Sequence, residues 1–507
     1  MQLILLLLFF LLALSGCRGS SAQPPPGYIT IGIESFPLQL DPRFATDANS
    51  SRVGGLIYNA LLRVDEKSQL QPELARRWTM PNARSYLFEL HEGVKFHDGR
   101  LLTAADVKYT YESIGDAKNL SPKRSLLKAL AGIDVLDSHT IRFRLSQPHA
   151  PFPEHFTIGV VPAGTAIGPS GQPPPGSGPF MLEKIDPGER VMLKANANYW
   201  ENRPKALGLV FKSIPDAMVR VLEFKKGSID FLQNDIEPEV IPWLAKQENA
   251  SLQANQGTTF QYIGINCSQP ILRDARVRRA LAHAIDRDAI IRHLLNGTGV
   301  AASGLLSPLN WAYNDQVPGW PRDRAKAKLL LDQAGYPDPD GDGPRPRFRL
   351  SYKTTNIDLR RRIAEALKEQ LAQVGIELEI RTYEWGTFFS DVKKGNFHLF
   401  SLAWVGIHDP DIYYQLFHSA SFPPNGDNRG RYSNAQLDAL LEDGRTTTDL
   451  FTRRKIYGQV QQILASELPY IPLWWVKNVV AHKRNLQGFV PYPDGSFVSF
   501  KQVSVTP

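Results

Sequence analysis

The 507-residue chain holds only a few groupings of the residue types that do chemistry. The run Asp338-Pro339-Asp340-Gly341-Asp342-Gly343 opens like a calcium loop, in which alternating carboxylates wrap a hard cation. Its twelfth position is Arg349 where a bidentate Glu is needed, and Gly335 ends the preceding helical pattern too early, so a turn-rich loop is expected instead. The segment from Gly297 to Ala302 spells Gly-x-Gly-x-x-Ala, but it follows a helical stretch where a dinucleotide loop must follow a strand. His91 and His97 have no Cys or carboxylate at ligand spacing. Gly-x-Ser-x-Gly, His-Glu-x-x-His and Walker patterns are absent. Cys267 stands in no nucleophile signature and reads as a small buried hydrophobe. The expectation is a chain that needs no metal or cofactor and is not an enzyme.

Composition narrows the partners. Lys and Arg number 58 against 51 Asp and Glu, a formal charge of +7. Spread over this length, with no basic run longer than Arg360-Arg361-Arg362, that excess gives no footprint for nucleic acid. Hydrophobic residues at 42% and charged residues at 21% place the bulk among water-soluble globular proteins. Residues 3–14 are an unbroken apolar run, too short for the ~20 residues that span a bilayer and suited to an export signal. Leu14-Ser15-Gly16-Cys17 resembles the bacterial lipobox, which implies that residues 1–16 are removed and that Cys17 is acylated. Residues 17–27, rich in Pro, Gly and Ser, then form a tether to a lipid membrane. Cys267 is left with no disulfide partner.

The elements that must position any site follow from periodicity. Alternation of Ile29, Ile31 and Ile33 predicts an early strand. Residues 86–90 and 94–96 around His91-Glu92-Gly93 predict a hairpin, and Phe96-His97-Asp98-Gly99 the next turn. Thr103 and Asp106 predict a capping box ahead of a helix through Val107, Tyr111 and Ile114. Residues 141–145 predict a strand, and residues 168–178 are a Pro/Gly/Ser break. Later, helical spacing from Asp274 breaks near Asp286, and two more helices stop at Gly335 and Gly375. The strand through Ile376, Leu378 and Ile380 follows the last of them at once, so the class is α/β.

Several stretches, in order, resemble the extracellular solute-binding protein family 5, the peptide and nickel binding subunits of ABC importers. They include Gln71-Pro-Glu-Leu-Ala75 with Trp78, and Phe88-Glu-Leu-His-Glu-Gly-Val-Lys-Phe-His-Asp-Gly99 with Leu102-Thr-Ala-Ala-Asp-Val107. Gly178-Pro-Phe180 with Asn198-Tyr-Trp200, Asp274-Ala-Arg-Val-Arg-Arg-Ala-Leu281, Glu384-Trp385 and Trp404 with Asp409-Pro-Asp411 continue the series. The resemblance implies a two-lobed periplasmic-binding-protein fold of type II, similar to cluster C. It places a discontinuous lobe I at residues 28–59, 176–257 and 468–507, an extra domain II at 60–175 and lobe III at 258–467. Chain crossings near residues 258–262 and 466–470 would act as hinges. It further implies a monomer in the bacterial cell envelope that captures a solute, foremost peptides, and delivers it to a membrane permease and its ATPase. An exported receptor or hydrolase acting on a non-peptide solute is the other reading.

The ligand-binding residues follow from that resemblance. Trp385 and Trp404 match the family's pocket tryptophans, and broad aromatic walls suit varied side chains. Phe36, just after the first strand, is a further aromatic candidate. Asp409 and Asp411 either take a cationic amine or satisfy backbone NH groups of their turn. Peptide-binding members usually place an Asp three residues after this Trp, where Ile407 stands here, and the Arg of dipeptide binders is missing, with Lys353 nearby.

Overall fold

The computed structural model describes residues 25–168, 172–234, 236–341 and 343–506. Cys17 and the rest of the lipobox lie outside the described residues. One eleven-stranded mixed sheet runs through the molecule and is continuous across both halves. Its order is Ile376–Tyr383, Phe348–Thr355, Leu399–Trp404, Ala250–Ile265, Tyr470–Lys483, Phe231–Gln233, Tyr28–Ile33, Gly208–Ser213, Arg190–Ala195 and Phe180–Asp186, with Gly299–Ala301 added on Tyr470–Lys483.

Two long antiparallel strands in the middle, Ala250–Ile265 and Tyr470–Lys483, belong to both halves. Their first pairing holds from Ala250↔Lys483 to Gln256↔Lys477, then the register breaks and resumes at Phe260↔Trp475. On one side of the break, His482 to Val480 also pair with a strand of the early half, Phe231–Gln233. On the other, Phe260 to Ile265 pair with Leu399–Trp404. The chain therefore changes halves at 256–260 on one strand and at 475–477 on the other. The second crossing comes later than the expected 466–470, because Tyr470, Ile471, Leu473 and Trp474 are buried in the core of the later half. That core carries α/β units, such as helix Asp358–Ala372 between the parallel strands Phe348–Thr355 and Ile376–Tyr383.

A second core, around Ile29, Ile31, Leu193, Phe211 and Phe231, supports the early half. A third belongs to a separate four-stranded antiparallel sheet, Ala75–Asn82, Ser85–Leu90, Thr140–Leu145 and Leu130–Val135 in spatial order, backed by helix Ala104–Gly115. Asp106 accepts from the Thr103 backbone NH at 2.8 Å, as the capping pattern requires. The expected hairpin is corrected here: Ser85–Leu90 pairs with the strand before it and with Thr140–Leu145, while 94–96 form no strand. Val94 and Phe96 instead anchor their turn by burial in the third core. The Pro/Gly/Ser break is also more than a spacer. Gly178 donates to the Ile57 carbonyl at 2.8 Å, and a Cβ on Gly176 would meet that same oxygen at 1.9 Å, so only glycine lets the chain pass there.

Phe156 sits at the centre of the third core, with ring centroids of Phe88, Phe143 and Phe152 4.6, 4.8 and 5.3 Å away. It is wholly buried. Phe156→Ala is expected to cost about 3–5 kcal/mol, the sum of lost transfer energy and an unfilled cavity, as read by urea unfolding. A loss under about 1 kcal/mol would show that the ring cluster closes over the gap.

Candidate functional site: a cleft at the break in the sheet

Strand direction locates the site. Leu399–Trp404 runs antiparallel to Ala250–Ile265, from Ile265↔Leu399 to Phe260↔Trp404, so its C-terminal end reaches the register break. Phe348–Thr355 and Ile376–Tyr383 run the same way. In the early half Phe231–Gln233 ends level with Val480, and Tyr28–Ile33 and Gly208–Ser213 run parallel to it. The parallel strands of both halves thus aim their C-terminal ends at one line, from opposite sides. In open α/β sheets that edge is where ligands bind.

Trp404 is the last residue of its strand and Trp385 the first of helix Trp385–Lys394, so both stand at this edge. Trp385 is 53% exposed, which for so large an apolar ring marks a surface awaiting cover. It stacks on Phe389 at 5.2 Å and 11°. The Arg429 guanidinium lies 5.0 Å from the Phe389 ring and 4.8 Å from that of Trp404. Trp404 in turn lies parallel to Tyr262, which stacks on Tyr470 at 4.1 Å. One aromatic wall, bridged by a cation, therefore runs from solvent into the core. Tyr262, Tyr470 and Arg429 were not foreseen, since they come from three separated segments and carry no local pattern. Phe36 lies at the opposite strand end, half-buried against the core of the early half.

The polar candidates are already engaged. The Lys353 ammonium lies 2.6 Å from Asp391 and is buried, and it holds the Asp391 carboxyl below the usual range. Asp409 accepts two hydrogen bonds from Arg453, both 2.7 Å, and one from the Asp411 NH at 2.8 Å. Asp411 lies 2.9 Å from Arg445, whose guanidinium sits 3.9 Å over Tyr414. Burial pushes the Asp411 carboxyl up to about 6 despite Arg445. Ile407 is buried in the larger core, so its side chain faces away from the cleft. In the loop resembling a calcium site, Asp338 accepts from the Gly341 NH and Asp340 from the Arg345 NH. Among the described residues no group of three His, Cys, Asp or Glu is arranged to hold a metal. The Cys267 thiol is pushed up to about 11 by burial, which makes it a poor nucleophile.

The small domain reaches the later half. Ala150 donates its NH to the Arg445 carbonyl at 2.7 Å, bringing His149, Glu154 and His155 against the Asp409–Arg453 pair. Beside them opens a cavity of about 350 Å³ between helix Ala48–Ile57, the 494–498 loop and the small domain. Burial, then the Asp409 charge, raise the Glu154 carboxyl to about 8. Burial lowers His149 and His155 to about 4, so both are neutral at pH 7.

These shifts make a signed prediction. A carboxyl raised from the ordinary ~4.3 to about 8 binds more protons folded than unfolded between those values. Its contribution to stability is therefore full below about pH 4 and falls away as pH rises to about 8. Burial lowers Lys123 on the same cavity to about 8, and it and the two histidines are shared by wild type and variant, so their titrations cancel in the comparison to first order. Glu154→Gln should accordingly be more stable than wild type in urea at pH 9 and lose that advantage at pH 5. Equal differences at both pH values would contradict the shift.

Comparisons with known proteins bear on the family and the fold. The model of the bacterial extracellular solute-binding proteins, family 5 Middle, matches residues 69–423. The oligopeptide-binding protein AppA of Bacillus subtilis (strain 168) is 30% identical, covering 97% of this chain and 96% of its own. Its structure in complex with a nonapeptide superimposes with a TM-score of 0.77 over 94% of this chain and 99% of that one, at 27% identity. The periplasmic binding protein DppA from Helicobacter pylori, in complex with the peptide STSA, gives 0.78 over 95% and 98%, at 26% identity. The mixed α/β architecture is the two-lobed periplasmic-binding-protein fold of cluster C, and the chain belongs to the bacterial extracellular solute-binding proteins of family 5.

Proposed function

We propose that this protein is the substrate-binding subunit of an ABC importer, capturing peptides between its lobes and passing them to a membrane permease driven by an ATPase. The observation that carries the reading is the convergence of parallel strand ends from both halves on one break, with Trp385 and Trp404 at that edge. Closing the lobes covers the exposed Trp385 face, so a ligand that bridges them favours the closed arrangement by its differential affinity. Lobe I comprises residues 28–59, 176–257 and 477–507, lobe III residues 258–476, and residues 60–175 form the added domain. Cys17 bears the lipid that tethers the chain to the membrane, outside the cytoplasm, and the protein acts as a monomer. Support for peptides comes from the relatives, which are named for oligopeptide binding or hold a peptide.

Native mass spectrometry of protein purified without refolding tests this, together with thermal shift against peptide pools. A retained peptide, or a midpoint raised as ligand concentration rises, is the expected result. No shift with peptides, sugars and metal chelates alike would overturn it, and a ligand converted to product would favour the hydrolase reading.

A further inference from the structure

Resting on that reading, and on the lipid at Cys17 in particular, we propose that the end of lobe I beside Pro25 is a basic face that rests on anionic headgroups of the membrane holding the lipid. The backbone around residue 25 marks that end. The Tyr28 NH donates to the Pro25 carbonyl at 3.1 Å, Gly27 packs against the Leu207 side chain, and Tyr28 stands level with Gly208 and, one strand further, Lys194. On the other flank His482 is level with Phe231 and Ile31, so Lys483 and Arg484 run on toward the same end. Helix Ala217–Lys226 also finishes there, where the Lys483 ammonium donates to the Phe224 carbonyl of its last turn at 2.8 Å.

Lys194, Arg203, Lys205, Lys225, Lys226 and Arg484 gather on this end, all exposed and none in an ion pair among the described residues. The nearby acids are spent elsewhere: Glu223 on Lys212, Glu201 on Arg63 and Lys501, and Asp230 on the Thr30 NH at 2.9 Å. Glu183 accepts from the Tyr28 hydroxyl, and Glu248 is offset by exposed Lys246. Leu207, 54% exposed, and Trp243, with the Lys225 ammonium 5.4 Å from its ring, add apolar surface of the kind that settles among headgroups. Cys17 lies eight residues before Pro25, so extended backbone lets its lipid stand at most about 28 Å from this face. So short a tether keeps the face at a high effective concentration beside the membrane, and a modest attraction then suffices. Each Lys or Arg close to an anionic leaflet adds roughly fivefold to the partition. With this end down, strands Tyr28–Ile33 and Gly208–Ser213 aim their C-terminal ends away from the membrane and hold the cleft about 20 Å above the headgroups.

The test places the lipidated protein in vesicles of phosphatidylcholine, with or without about one third phosphatidylglycerol, after intact mass has read the acyl group on Cys17. A membrane-impermeant acetylating reagent then labels amines, and initial rates are read lysine by lysine by mass spectrometry. The expected result is acetylation at least fivefold slower at Lys205, Lys225 and Lys226 on the anionic vesicles, with no change at Lys368, exposed on lobe III. The slowing should vanish in 1 M salt, where the Debye length falls to about 3 Å. Replacing three exposed cations together, Lys205→Gln, Lys225→Gln and Lys226→Gln, should abolish the slowing at Lys194 and leave the melting midpoint unchanged. Equal rates on the two vesicles would overturn the inference while leaving the lipid and peptide capture standing. So would slowing as large at Lys368, or slowing at Lys194 that survives the triple substitution. A chain with no acyl group on Cys17 would remove the tether and this inference with it, without touching peptide capture.

Discussion

Arg453→Met is expected to lower the stability of the protein by about 3–5 kcal/mol, the usual cost of stripping one partner from a buried ion pair. Arg453 and Asp409 are 5% and 13% exposed at their side chains, and the two guanidinium ends each donate to one carboxylate oxygen at 2.7 Å. The third donor of Arg453, Nε, holds the Gly444 carbonyl at 2.9 Å, so the same side chain ties the end of helix Ala435–Thr446. Without it, Asp409 is left buried beside Asp411, with Glu154 across the cleft. The guanidinium also lies 5.3 Å from the centres of the Trp311 and Tyr457 rings, so Met gives up those cation–π contacts together with the charge and the hydrogen bonds. The companion Asp409→Leu/Arg453→Met should recover most of the loss, because a hydrophobic pair of similar volume carries no desolvation cost. Urea unfolding followed by tryptophan fluorescence decides it. A single variant within about 1 kcal/mol of wild type, or a double variant as unstable as the single one, would refute the account.

That pair also shows what the sequence could and could not tell. Trp385 and Trp404 came from the resemblance, and the structure adds where they stand: one closes its strand and the other opens a helix at the same edge of the sheet. Asp409 was legible as a carboxylate but not as a spent one. Its partner lies 44 residues away on another helix, and an ion pair between distant segments leaves no period to read. Lys353 failed in the same way, matched to Asp391 from the next α/β unit. Glu154 is the sharpest case, for it stands in a short 3-10 segment, Phe152–Thr157, of a domain whose own motifs concern only packing. The hairpin error has a comparable cause. Strand propensity is local, whereas the choice between two possible antiparallel neighbours was made by burial of Val94 and Phe96.

The break in the sheet leads to the second large effect. Between Gln256↔Lys477 and Phe260↔Trp475 the two central strands lose their regular pairing, and Gly257 stands inside that gap. A Cβ there would lie 2.4 Å from the Val476 carbonyl, a backbone atom that cannot swing aside as a side chain would. Thr258 donates its NH to the Pro493 carbonyl at 3.2 Å, and the Asn478 amide reaches that oxygen at 2.9 Å, so the break is also tied to the loop beside the cavity. Gly257→Val must therefore push the strands apart where the halves join, at a cost of about 1–3 kcal/mol for overpacking. Both lobes keep their own cores, so the strain falls on whichever interlobe angle brings the strands closest. If that is the closed one, the population competent to hold ligand drops by about 5- to 150-fold, and apparent affinity falls with it. Titration of the peptide recovered from wild type should show that loss, and small-angle scattering should show a larger radius with ligand present. An unchanged affinity and radius would mean that the lobes turn about some other point than this glycine.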